Sequence, residues 1–176
     1  MKDAFPNNVP VKRPEFSFKG ITDPFWVAGF TSGDGSFHII LRDFNTNKGS
    51  VSLRFSIKLN IREIEIIKGL VTFFKLRAAA ANIIADLPAL AGANSSAKNF
   101  HTSENFVALQ VTKISDIVNT IIPFFEKYPI VGVKSLDFAD FKKVAFIIQS
   151  KEHLTPEGLN QIFEIKSNMN QNRLVE

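Results

Sequence analysis

Few side chains in this chain are spaced for chemistry. The most pointed is Asp34, near the end of PFWVAGFTSGDGSF, residues 24–37. Asp23 before Pro24 marks a helix start: a carboxylate to cap the first free amides, and a proline whose missing N–H costs nothing in the first turn. Phe25, Trp26, Val27 and Phe30 supply apolar bulk. Gly29 and Gly33 are four apart and share a face, and with Ala28 they would let another helix approach backbone to backbone. Each helical glycine costs roughly 1 kcal/mol against alanine, so a close packing partner is the expected compensation. The helix should end at Asp34-Gly35, with Gly35 free to take a left-handed cap. An aspartate there faces the negative end of the helix dipole, so local stability does not favour it. Taken alone, Asp-Gly ahead of a strand also reads as an ordinary turn.

Other reactive groups are sparse. His38, His101 and His153 are scattered without metal-ligand spacing, and each reads as a surface or strand residue. Cysteine is absent, which excludes disulfides, thiolate metal sites and a cysteine nucleophile. Neither a P-loop nor a dinucleotide-binding glycine fingerprint occurs. Asp137 and Asp140 are three apart near a helix start, where the dipole explains them. Lys134, in KYPIVGVKSLDFADF, reads alone as a loop lysine in water.

The elements that must position these groups follow from periodicity. From Ser36 to Asp43, Phe37, Ile39 and Leu41 alternate with Ser36, His38, Ile40 and Arg42; after a turn-like NTNKG, Val51, Leu53, Phe55, Ile57 and Leu59 alternate with Ser50, Ser52, Arg54, Ser56 and Lys58. Period two predicts a half-buried hairpin with one apolar face and one polar, basic face. Asn60 with Glu63 resembles a capping box opening a core helix to about Lys75. Residues 76–104 are Ala-rich and hardest to read, with a strand expected near 82–85 and an insertion after it. Phe106 to Thr112 reads as a strand and 113–126 as a helix. Ser135 is expected to cap a helix to about Ser150, with Phe138, Phe141, Val144, Ala145 and Ile148 inward, and Thr155-Pro156 to open a last helix to about Met169. Residues 1–22, with Pro6, Pro10 and Pro14, read as an extended arm or linker, 23–170 as one domain and 171–176 as a tail.

Composition sets the class. At 176 residues, 45% hydrophobic and 22% charged, the chain suits one globular domain. Eighteen Phe against one Tyr and one Trp imply a Phe-packed core. A net charge of +4 permits nucleic-acid binding without requiring it. No apolar run approaches the roughly 20 residues of a membrane helix, so no membrane partner is expected.

Val27 to Gly35, VAGFTSGDG, resembles the nine-residue LAGLIDADG motif of homing endonucleases and intron maturases. AFPNNVPVKRPEF resembles the segment joining the halves of double-motif members, and QSKEHLTPEGLNQIFEIKSNMN the tail of fungal-type organellar ones, so the chain resembles a second, C-terminal half. The resemblance implies an α+β fold, α-β-β-α-β-β-α, with a four-stranded antiparallel saddle and extra C-terminal helices. It implies a site-specific DNA endonuclease in which Asp34, with Gly35, holds Mg2+ or Mn2+, and Lys134 stands near the reacting phosphate. The saddle would carry Ser36, His38, Ile40, Arg42, Ser50, Ser52, Arg54, Ser56 and Lys58 into the major groove of double-stranded DNA, the arginines suited to guanine and Lys58 to phosphate. Ala28, Gly29 and Gly33 would meet a second motif helix from a homodimer mate or a separate half, and the location implied is the mitochondrion. Two departures stand out: Ser32 at a usually acidic position, and Leu59-Asn60 where the family often carries Gln-His. They favour the alternative, a non-catalytic maturase or ribonucleoprotein component binding RNA.

Overall fold

Period-two alternation becomes a four-stranded antiparallel sheet of order β1-β2-β4-β3 in the computed structural model, which describes residues 18–42, 49–76 and 100–170. β1, Gly35–Arg42, and β2, Ser50–Asn60, pair with Phe37 opposite Phe55 and His38 opposite Arg54. β4, Phe106–Val111, sets Gln110 opposite Ser56, and β3, Phe100–Thr102, closes the far edge with His101 opposite Ala108. Directly opposite residues share a face, so one side of the sheet is apolar along β1, β2 and β4 and the other carries the polar residues, with Ile40, Phe106 and Ala108 among them.

Helices cover the apolar side. α1 is Pro24–Asp34 and α2 Ile64–Phe73; α3, Ile114–Asp116, runs through a π turn, Ile117–Ile121, into α4, Ile122–Lys127; α5 is Lys134–Gln149 and α6 Pro156–Ser167. Pro123, which has no N–H to return to the preceding turn, sits at the π–α junction. The α+β order is the expected one. Its hub is Phe37, whose ring centroid lies 5.2 Å from Phe55, 5.4 Å from Phe138, 5.2 Å from Phe141 and 6.0 Å from Phe125. One buried cluster thereby joins β1 to α4 and α5.

Several local expectations change. The strand expected at 82–85 lies outside the described residues, as do most of the 1–22 arm and the 171–176 tail; the third strand is Phe100–Thr102. Asn60 caps through Arg62 N–H at 3.1 Å, but the chain first makes a 3-10 turn, Ile61–Glu63. Ser135 does not cap α5, which begins one residue earlier; its hydroxyl donates to Gly132 O. Thr155 caps α6 as expected, accepting from Gly158 N–H at 3.1 Å. Gly35 is not left-handed: its φ is −73° and its N–H donates to Thr31 O. Space explains the glycine instead, since a Cβ there would lie 2.4 Å from Thr31 Cγ2 and 2.6 Å from Thr31 O.

Gly35→Ala should therefore cost about 1–3 kcal/mol by overpacking, whereas Gly29→Ala, with open space around its Cβ, should leave the isolated chain unchanged or up to about 1 kcal/mol more stable. Chemical denaturation of the two variants checks the contrast; equal effects would contradict it.

Candidate active site and nucleic-acid interface

The site begins where α1 runs into β1. Val27, Ala28 and Thr31 face the core. At 3% exposure Ala28 belongs to the chain's own interior, which corrects its assignment to an outer helix–helix surface. Gly29 and Gly33 do lie exposed, and a Cβ on either would meet nothing within 4 Å. Trp26, stacked on Phe30 at 4.8 Å and 41% exposed, flanks that bare stripe. Ser32 has its own structural role: its hydroxyl donates to Ala28 O at 2.8 Å and accepts from Val131 N–H at 3.1 Å, tying the helix to the segment before α5.

Lys134 is not a loop lysine. It opens α5 and reaches the carboxyl end of α1, donating from Nζ to Gly33 O at 2.7 Å and Thr31 O at 3.4 Å. A helix leaves its last carbonyls without intrahelical partners and partly negative, so an ammonium is the complementary group. Burial pushes the Lys134 pKa down, while Asp34 and then Asp137 oppose that fall. Asp34 itself is exposed at the helix end. Sequence spacing gave no hint that Asp137, on α5, would be buried; it is 7% exposed, and Oδ1 accepts from Asn170 N–H at 3.0 Å.

The polar sheet face gathers the residues the alternation singled out. Ser36 faces Ser56, His38 faces Arg54, Ile40 faces Ser52 and Arg42 faces Ser50; none of them is fully buried. Lys58 Nζ lies 4.0 Å over the Phe106 ring. Arg54 Nε is shielded from solvent without a hydrogen-bond partner among the described residues. Burial first, then the Arg54 charge, lower the His38 pKa, with Asp137 opposing. The shift favours the neutral imidazole, which has one donor and one acceptor nitrogen. Gln110 and His101 share this face and were missed; the polar residue breaking FVALQVT was the available signal. Leu59 packs against the core, past the Gly35–Ile57 pair along β2.

For a metal, the available donors are hard oxygens, the Asp34 carboxylate and a neighbouring backbone carbonyl, which suit Mg2+, Mn2+ or Ca2+ rather than softer ions. No group of three or more His, Cys, Asp or Glu residues assembles among the described residues. Among the described residues the donors therefore fit at most half of a cation site.

His38 should titrate below its ordinary 6.5. Because the folded value is the lower one, its contribution to stability is complete above 6.5 and is lost as pH falls from there through the lower, folded value. Arg54→Gln should raise the midpoint only in part, since burial is the larger cause. An NMR titration of the His38 ring checks both; full restoration to 6.5 would contradict the ordering.

Comparison with known proteins agrees with this geometry. The LAGLIDADG endonuclease family model matches residues 27–145. The chain is 37% identical over 179 residues to the probable intron-encoded endonuclease 2 of Neurospora crassa, covering 96% of this chain and 34% of that protein. It is 30% identical over 164 residues to the probable intron-encoded endonuclease 3 of the same fungus, covering 92% and 27%. Among solved structures it superposes with a TM-score of 0.77 on the LAGLIDADG meganuclease I-CpaMI bound to uncleaved DNA, at 42% identity, over 97% of this chain and 53% of that one. The I-SmaMI homing endonuclease bound to cleaved DNA gives 0.76 at 38% identity, over 98% and 52%; I-SmaMI has also been solved on uncleaved DNA in the presence of calcium ions. The chain thus spans only part of these relatives, about a third of the curated proteins and half of the solved chains. With the motif helix, the saddle and these matches in agreement, the chain belongs to the LAGLIDADG endonuclease family.

Proposed function

We propose that this chain is one half of a site-specific DNA endonuclease, hydrolysing phosphodiesters in double-stranded DNA within a fungal mitochondrion. The observation that carries the reading is Asp34, held exposed at the carboxyl end of a helix whose Gly29–Gly33 face is bare and whose last carbonyls are held by Lys134. The relatives' descriptions as intron-encoded endonucleases and the DNA-bound neighbours support the same assignment.

The mechanism follows from what each residue can do. Asp34 and the Gly35 carbonyl would hold Mg2+ or Mn2+ together with a second acidic motif residue. When bound, the metal supplies an activated water and stabilises charge on the reacting phosphate. Lys134 adds fixed positive charge beside that phosphate from an environment already partly stripped of water. Ser36, His38, Arg42, Arg54 and Ser56 present donors and acceptors to base edges, Ile40 an apolar surface to thymine methyls, and Lys58 a charge to the backbone. Gly29 and Gly33 admit a second motif helix, and the exposed Val131, Val133 and Leu136 extend the apolar surface beside it. That helix comes from a separate half or from a second copy, which would impose two-fold symmetry on the target.

The test is cleavage of a randomised duplex library in Mg2+ by the chain, alone and joined to a matching half. Asp34→Asn should abolish cutting while leaving duplex affinity within about threefold, and Lys134→Ala should slow single-turnover cleavage by about 10²–10³. Tight RNA binding indifferent to Asp34→Asn, with no cutting in either format, would overturn the reading in favour of a maturase or ribonucleoprotein role.

A further inference from the structure

Ile130 is buried, and the next buried residue along the chain is Asp137. Little packing holds the stretch between them: Val131 is 66% exposed and Val133 49%. Gly132 turns it with a φ of +72°, a conformation open to glycine, and Ser135 closes the turn by donating its N–H and its hydroxyl to Gly132 O at 3.0 and 2.8 Å. Two points join this turn to α1. Ser32 Oγ accepts from Val131 N–H at 3.1 Å while donating to Ala28 O at 2.8 Å, so the single hydroxyl proton serves the helix and a lone pair serves the turn. Lys134 Nζ donates to Gly33 O at 2.7 Å. Adjacent residues of α1, 32 and 33, thus hold residues 131 and 134. The two points are unequal. A lysine is a charge on a flexible four-carbon stem and does not fix the backbone that carries it, whereas the Ser32 bond grips the backbone directly.

We propose that Ser32 is a positioning residue for Lys134: its hydroxyl fixes the Val131 turn, and through it the start of α5, so that the ammonium stays at the helix end that carries Asp34. The role suits a neutral group. An ionised carboxylate at position 32 could accept from Val131 N–H but has no proton for Ala28 O. It would also add a second negative charge to the end of the helix that already disfavours one. Ser32 makes both bonds and leaves the charge at that end to Asp34. Its departure from the usually acidic motif position is then a working substitution, not the loss of a ligand. The catalytic meaning rests on the cleavage reading above; the latch itself does not.

The experiment reads amide exchange and the Lys134 ammonium signal of the whole chain in ¹H–¹⁵N spectra, the latter at low temperature. In the wild-type chain the Val131 amide, though on an exposed residue, should exchange about tenfold or more below its intrinsic rate; no protection there would overturn the proposal without any variant. Ser32→Ala should quicken Val131 exchange about tenfold relative to the amide of Leu109, which is buried in the sheet and records global unfolding. It should also weaken the Lys134 ammonium signal through faster exchange with solvent. A serine serving only its own helix predicts no selective change at Val131 and none at Lys134. Ser32→Thr keeps a hydroxyl that can bond the carbonyl four residues back, and should keep both wild-type readings. An unchanged Lys134 signal in Ser32→Ala, even with Val131 protection lost, or equal losses in Ser32→Thr, would overturn the proposal. In an assembled enzyme that cuts DNA, Ser32→Ala should slow single-turnover cleavage about tenfold with duplex affinity held within about threefold, and cleavage at the wild-type rate would overturn the positioning role. If the wild-type assembly does not cut, the cleavage reading fails while Val131 and Lys134 still judge the latch.

Discussion

An acidic side chain at the carboxyl end of a helix stands against the field of its own backbone. Here that end also carries two carbonyls, of Thr31 and Gly33, which a single ammonium from a distant helix satisfies. Much of the molecule can be traced from this contact. Lys134 reaches it only because α5 begins where it does, and α5 is fixed by Phe138 and Phe141 against Phe37, the first inward residue of β1. The chain entering β1 turns over Thr31 so tightly that no Cβ fits at Gly35. Helix end, lysine and first strand therefore form one mechanical unit. A carboxylate placed there is costly for folding alone and apt for a cation.

The same unit shows how the proposed binding and chemistry would be joined. The face of β1 opposite Phe37 carries Ser36, His38 and Arg42, so the strand that anchors the core also presents the polar face. Half-burial, and then Arg54 across the ladder, lower the His38 pKa. The neutral ring so favoured carries both hydrogen-bonding senses, a useful property if this surface meets base edges as proposed. Ser32 makes a different economy: in place of a carboxylate it bridges the motif helix to the Val131 segment, stiffening the approach to Lys134.

The sequence disclosed what repeats and what resembles. Alternation in residues 36–42 and 50–58 marked the sheet and its two faces correctly, because period two leaves a strong imprint on composition. Helix starts governed by local chemistry were equally legible: Asp23 and Thr155 cap as their neighbours suggested, accepting from Phe25 N–H and Gly158 N–H. What escaped depended on contacts distant in the chain. Ala28 looked like part of the outer stripe because small residues cluster there, yet one helical position turned it into the core. The restriction at Gly35 came from a side chain four residues back, not from its own φ. Asp137 meets Asn170 across 33 residues, and no local pattern records that. Gln110 was visible as the polar interruption in an apolar strand, and its importance emerged only with its register opposite Ser56.

The central claim is that the carboxyl end of the motif helix is built to take a divalent cation through Asp34. Paramagnetic broadening of backbone amide signals by substoichiometric Mn2+ tests it on this chain alone, with neither DNA nor a second half present. The account predicts that the signals of Gly33, Asp34 and Gly35 broaden first and that Asp34→Asn abolishes this pattern. Broadening centred on another carboxylate, or persisting at the helix end in Asp34→Asn, would contradict it.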